Sequence, residues 1–165
     1  ELLNIIHSGN FKYVGIDLFG DKANEDEKVP NYLKKQSFSN PIKNLFYNII
    51  LRENLNSYES VQKFLKKFSN NITLIKGNSN KILQHFYLEN IDFAFLDGGH
   101  SFETVFNDLN LLFNKISLKK NAIILCDDYE DADYITGVKR AVDQFVKEKK
   151  LKFEIIEKRF AKITI

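Results

Sequence analysis

Four short segments of this chain place residues capable of chemistry directly after apolar runs. Asp17 closes YVGID, and Gly77-Asn78-Ser79 follows ITLIK. Asp97-Gly98-Gly99-His100 follows IDFAFL, and Asp127-Asp128 follows AIILC. An acidic residue in the place of Asp17 can accept both hydroxyls of a ribose; it can equally cap a turn. Two adjacent glycines leave no side chain in the way of a ligand, and His100 stands just beyond them. Histidine is the usual general base near neutral pH, although a solvated histidine at a helix start would look the same.

The adjacent carboxylates of Asp127 and Asp128 raise each other's pKa unless a cation compensates them. Together with Asp97 they would offer oxygen-only ligation of the kind that suits Mg²⁺. The plainer alternative makes one of the pair a cap and the other a solvated acid. Gly77-Asn78-Ser79 could bring backbone and an amide to a base ring, as any strand-to-helix turn could. His7 and His85 have no partner in the sequence and read as surface or packing residues. Cys126 reads as a small core residue. The Lys147-Glu148-Lys149-Lys150 run reads as a solvated helix end, where cations also suit the dipole.

The elements that must hold these residues alternate between two periods. Leu2, Leu3, Ile5 and Ile6 look like the end of a helix stopped by Ser8-Gly9-Asn10. Residues 11–19 predict a strand. Residues 20–43 are polar and contain both prolines, Pro30 and Pro41, as lid or binding segments often do. Helical spacing returns at Leu45, Ile49 and Ile50, and again at Val61, Phe64, Leu65 and Phe68. Strands are predicted at 72–76, 91–96 and 122–126, with helices around 82–86, 102–113 and 138–146. Residues 153–156 and 161–165 predict an antiparallel pair across Glu157-Lys158-Arg159. This alternation predicts an α/β fold with a mainly parallel sheet, helices on both faces and one domain. In such sheets the ligand lies outside the carboxyl ends of the strands, where the four segments fall.

Composition narrows the function classes. At 165 residues the chain has the size of one domain, with 44% hydrophobic and 28% charged residues. Its formal net charge of +2 gives no electrostatic footprint for nucleic acid. A single cysteine cannot form an internal disulfide, which suits a reducing, cytoplasmic setting. No apolar run approaches the roughly 18 residues of a membrane span. No G-x-G-x-x-G occurs, which argues against a nicotinamide-binding domain. A phosphoacceptor signalling domain would carry its paired acids on an earlier strand than its single aspartate; here the pair comes later.

In their order, the segments YVGIDLF (13–19), LIKGNS (74–79), DFAFLDGGHSFETVFNDL (92–109), AIILCDDY (122–129) and GVKRAVDQF (137–145) resemble class I S-adenosylmethionine-dependent methyltransferases. The resemblance is closest to the small-molecule O-methyltransferase branch that includes the macrocin type. It implies a Rossmann-like methyltransferase fold. It also implies that Asp17 and Leu18, Gly77-Asn78-Ser79 and Asp97 contact the cofactor, with Asp17 on its ribose and Asn78 and Ser79 by its adenine. By the same resemblance Asp97, Asp127 and Asp128 bind a divalent metal such as Mg²⁺, and His100 is the catalytic base. The acceptor would be a hydroxylated small molecule, such as a sugar, and a homo-oligomer is compatible with this reading.

One departure stands out. The family opens with a strand and a glycine-rich loop, and nothing of that kind precedes Asp17 here. We therefore expect residues 1–165 to be a single methyltransferase domain lacking that first strand and loop, with 20–43 as an insertion or lid. The departure keeps open a second reading, a methyltransferase-like module that binds a nucleotide or partner without turnover.

Overall fold

The computed structural model describes residues 10–19, 40–45, 56–68, 70–115, 118–130 and 136–165. The helix expected at residues 2–6 and nearly all of the 20–43 segment lie outside the described residues. The chain divides into two units, residues 1–78 and 79–165.

In the first unit, β1 (Tyr13–Asp17) pairs with β2 (Ile72–Lys76) in parallel, with Asp17 opposite Lys76. Between them in sequence lie α1 (Pro41–Leu45) and α2 (Tyr58–Leu65), followed by a 3-10 turn over Lys66–Phe68. Ser57 starts α2 as its N-cap: its hydroxyl accepts from the Ser60 N–H at 3.2 Å, satisfying one of the orphan donors of the first turn.

The second unit runs α3 (Ser79–Ile82), β3 (Ile91–Leu96), α4 (Phe102–Lys115), β4 (Leu118–Cys126), α5 (Thr136–Lys149), β5 (Lys152–Ile156) and β6 (Phe160–Thr164). Its four strands are ordered β3-β4-β6-β5. β3 and β4 are parallel, whereas β6 is antiparallel to both β4 and β5. The fold is thus α/β with the closing antiparallel pair that the sequence predicts. Strand β4 begins four residues earlier than its apolar run. The polar Lys119-Lys120-Asn121 lead-in is carried past an irregularity in the β3–β4 register and a left-handed Asn121 (φ 67°).

The core of this unit follows from periodicity. Val105, Leu109 and Leu112 are buried along one stripe of α4. Val138, Ala141, Val142, Phe145 and Val146 are buried along the facing stripe of α5. The two helices pack on each other, with Phe113 edge-on to Phe145 at 5.7 Å between centroids. On the sheet, Ala122, Ile124 and Cys126 alternate into the core beside Ala161 and Ile163. The sequence of β3 is apolar on both faces, but the strand forms one edge of its sheet, and Phe93 and Phe95 remain about half exposed.

Candidate functional site

In the first unit the end of β1 and the turn after β2 meet. The Gly77 N–H donates to the Asp17 carbonyl at 2.9 Å. Gly77 holds φ at 148°, a conformation that a side chain would resist. The exposed Asp17 carboxylate accepts from the Phe19 N–H through Oδ1, so it closes a turn of its own chain. Leu18 is half-buried, and Phe19 is buried edge-on against Tyr58. Asn78 is half-buried at the end of this unit.

In the second unit the Ser79 hydroxyl donates to Asp108 Oδ2 at 2.7 Å, and Asn80 donates to Asp108 Oδ1. Asp108 is buried on α4 and serves as the acceptor that ties down the start of α3. Its role is not apparent from the sequence, where it sits among apolar helix positions.

Asp97, His100, Asp127 and Asp128 come together in one concavity at the carboxyl ends of β3 and β4. Parallel pairing of the two strands, with Leu96 opposite Cys126, carries Asp97 and Asp127 out of the sheet side by side. The Asp127 N–H donates to the Leu96 carbonyl at 2.9 Å and fixes that alignment. Asp128 adopts a left-handed backbone (φ 57°), which aspartate tolerates better than most residues, and its N–H donates to Asp127 Oδ1 at 2.8 Å. Tyr129 anchors the segment from below. Its buried ring carries a hydroxyl that donates to Asp143 Oδ1 at 2.6 Å and accepts from Lys139 Nζ at 2.7 Å.

His100 is delivered just before Ser101, the residue that caps α4 by accepting from the Thr104 N–H at 3.1 Å. Its Nε2 lies 3.1 Å from Asp128 Oδ2. With a carboxylate as partner, Nε2 carries the proton and donates, which leaves Nδ1 as the acceptor nitrogen. The opening of the facing helix makes room for this segment. A Cβ built on Gly137 would stand 2.2 Å from the His100 carbonyl oxygen.

The electrostatics depend on Arg159, which the sequence presents only as part of the turn between β5 and β6. Its guanidinium grips Asp127 with two bonds, Nε to Oδ1 at 2.5 Å and Nη2 to Oδ2 at 2.7 Å. These bonds hold the Asp127 carboxyl below its ordinary pKa. The pair stabilises the fold above the unfolded carboxylate value, and that stability is lost as pH falls through the lower folded value. The Asp97 pKa is raised, first by burial and then by the charges of Asp127 and Asp128. Carboxylate repulsion is thus felt at Asp97, behind the effect of burial, while Arg159 dominates at Asp127. The signal available in advance was topological: once β6 pairs antiparallel with β4, its preceding turn must lie beyond the carboxyl end of β4.

One ligand atom from each of Asp97, Asp127 and Asp128 can be chosen so that all lie within 4.8 Å of one another. An octahedral cation about 2.1 Å from each oxygen sets its ligand atoms at most about 4.2 Å apart, so these carboxylates, an oxygen-only donor set of the kind Mg²⁺ takes, would have to draw together to hold it. Cys126 is buried behind the site, and burial pushes its thiol pKa up to about 12, which fits the core role expected of it. No helix among the described residues is long and apolar enough to cross a membrane.

The fold has relatives among solved structures. The O-methyltransferase NovP superposes with a TM-score of 0.65 at 16% identity, over 99% of this chain and 63% of that one. The TDP-rhamnose 3′-O-methyltransferase of calicheamicin biosynthesis gives 0.54 at 14% identity, over 99% of this chain and 64% of that one. At such identities the likeness establishes a Rossmann-like methyltransferase fold. An uncharacterised protein of Acanthamoeba polyphaga mimivirus is 36% identical over 72 residues, covering 40% of this chain and 32% of that protein. This chain thus spans less than two-thirds of the length of each of these proteins. A family model described as a methyltransferase domain matches residues 2–129. A match over that much of the sequence makes the chain a member of the methyltransferase-domain family.

Proposed function

We propose that this protein is an S-adenosylmethionine-dependent O-methyltransferase whose acceptor is a hydroxyl of a small molecule, such as a sugar. The observation that carries this reading is the convergence of Asp97, His100, Asp127 and Asp128 at two neighbouring strand ends. The methyltransferase-domain match and the likeness to two O-methyltransferases support it. Asp17 is assigned to the cofactor ribose. Leu18, Gly77, Asn78, Ser79 and Asp97 are assigned to the remainder of the cofactor surface.

His100 Nδ1 takes the proton of the acceptor hydroxyl, while Asp128 holds Nε2–H and fixes the ring. The acceptor oxygen attacks the sulfonium methyl; an O–C bond forms, the C–S bond breaks, and S-adenosylhomocysteine leaves as a neutral thioether. Asp97, Asp127 and Asp128 would hold a divalent cation, which supplies a Lewis acid that lowers the pKa of the acceptor hydroxyl. Much of the rate enhancement comes from fixing two reactants in line.

The test is a calorimetric titration with S-adenosylmethionine and S-adenosylhomocysteine, with and without Mg²⁺, followed by methyl transfer to a panel of hydroxylated acceptors. Binding and turnover are expected. Tight binding with no transfer to any acceptor would point to the non-catalytic module, and absence of binding would reject the methyltransferase reading.

The ribose assignment gives its own expected result. Asp17→Ala should weaken S-adenosylhomocysteine binding by about 1.5–3 kcal/mol, the range for hydrogen bonds to a charged group. Because Asp17 also closes a turn onto Phe19, Asp17→Asn is the companion variant, since an amide oxygen can still accept there. Unchanged cofactor affinity in a folded Asp17→Ala protein rejects the assignment.

A further inference from the structure

Both oxygens of Asp127 already have a cationic partner. Arg159 binds them through a two-point guanidinium–carboxylate pair, the strongest geometry such ions form. Its Nη2 also lies 3.8 Å from Asp128 Oδ1. We infer that Arg159 is a built-in counter-cation of the acidic cluster, and that a divalent cation occupies the cluster by displacing the guanidinium from Asp127. This inference rests on the metal-assisted reading above.

Three features make Arg159 suited to that exchange. Its backbone is fixed. Glu157 and Lys158 both adopt left-handed conformations in the turn, and the Arg159 N–H donates to the Ile156 carbonyl at 3.1 Å. The Arg159 carbonyl accepts from the Tyr129 N–H at 2.7 Å, which ties the turn directly to the segment carrying the aspartates. Its side chain, by contrast, can leave. It is 51% exposed, whereas the Asp127 side chain it grips is 5% exposed. A guanidinium that swings away from Asp127 enters water, or stays over the Phe160 ring that it already faces at 5.3 Å.

Charge explains why displacement is required. Three carboxylates converge, and the Arg159 guanidinium already bonds to one of them and stands 3.8 Å from a second. A divalent ion placed among the same oxygens would stand beside a fixed positive charge at close range. Each cation opposes the other for the same electrons. The cluster therefore has two charge-balanced states, one closed by arginine and one by metal. Arg159 sets the metal concentration at which one gives way to the other.

The probe is Mn²⁺, titrated into the full chain and followed by the electron paramagnetic resonance of the free ion. Arg159→Gln should bind Mn²⁺ about tenfold tighter than wild type, or more, as expected when a nearby like charge is removed. Arg159→Lys, which keeps the charge and loses the fork, should fall between them. Equal or weaker Mn²⁺ binding by a folded Arg159→Gln overturns the inference while leaving the metal reading intact. No binding by any of the proteins at millimolar Mn²⁺ overturns both. Removing the arginine strands a buried carboxylate and could unfold the variant, so a second measurement uses the wild type alone. Saturating Mg²⁺ should shift the Arg159 Nε–Hε resonance to that of a solvated guanidinium. A resonance unmoved by bound Mg²⁺ overturns the inference independently.

Discussion

Replacing His100 with alanine is expected to slow methyl transfer by about a hundredfold to ten-thousandfold, the usual contribution of a positioned general base. The imidazole is close to half exposed, so its removal opens no cavity and leaves no buried group unpaired. Its ring nitrogen bonds to Asp128, and Asp128 retains a second oxygen near Arg159. S-adenosylhomocysteine affinity and the unfolding midpoint should therefore stay close to wild type while turnover collapses. Single-turnover kinetics under saturating cofactor separate the chemical step from binding and release. A folded His100→Ala protein that transfers methyl at the wild-type rate removes His100 from the reaction. Asp128→Asn offers a graded comparison: an amide oxygen can still accept from Nε2–H but no longer stabilises a protonated ring.

The second large effect is expected at Gly137, where two physical contributions have opposite signs. Glycine within a helix costs up to about 1 kcal/mol relative to alanine, so propensity alone would make Gly137→Ala stabilising. Packing argues the other way. The new Cβ would lie 2.2 Å from the His100 carbonyl oxygen, 2.7 Å from the Phe102 nitrogen and 2.9 Å from the Ser101 carbonyl carbon. All three are backbone atoms and cannot rotate aside. Overpacking of this kind costs about 1–3 kcal/mol and occasionally more, and contacts this short with fixed backbone put Gly137→Ala toward the upper end, so the net change should be destabilising. Urea unfolding measures the sign directly. Because the atoms struck belong to His100 and to the cap of α4, lost turnover should exceed what lost stability explains. A Gly137→Ala protein that is more stable than wild type and fully active would show that the two segments do not meet as described.

The strand ends were legible in advance because chemistry and patterning coincide there. A run such as AIILC, short and aliphatic, reads as a covered strand, and charged residues directly after it fall at the rim. The pairing of β3 with β4 followed from their order and their shared apolar character, and it brings Asp97 beside Asp127. Arg159 was illegible for the converse reason. Nothing local distinguishes the arginine of Glu157-Lys158-Arg159 from any solvated turn residue; its role arises only when β6 pairs with β4. Gly137 was readable as a helix boundary but not as a contact, since a missing side chain shows its purpose only against the atoms it admits. Asp108 was hidden in the stripe of an amphipathic helix, and its partners, Ser79 and Asn80, lie far away in sequence. The lead-in to β4 was missed because Lys119, Lys120 and Asn121 carry no strand signature; Lys119 is tied to Asp92 of β3, and the Asn121 N–H donates to the Ile165 carbonyl.

The burial of Cys126 gives the protein a built-in clock. It is the chain's single cysteine, and the residue is 1% exposed at the last position of β4, one peptide bond from Asp127. A thiol raised to about pKa 12 has almost no thiolate at neutral pH, so in the closed state it neither alkylates nor oxidises readily. Any modification must then wait for this strand end to part from its neighbours, and the rate of labelling by a thiol reagent counts those openings. The rim that carries Asp127 and Asp128 thus reports its own breathing through a single atom behind it.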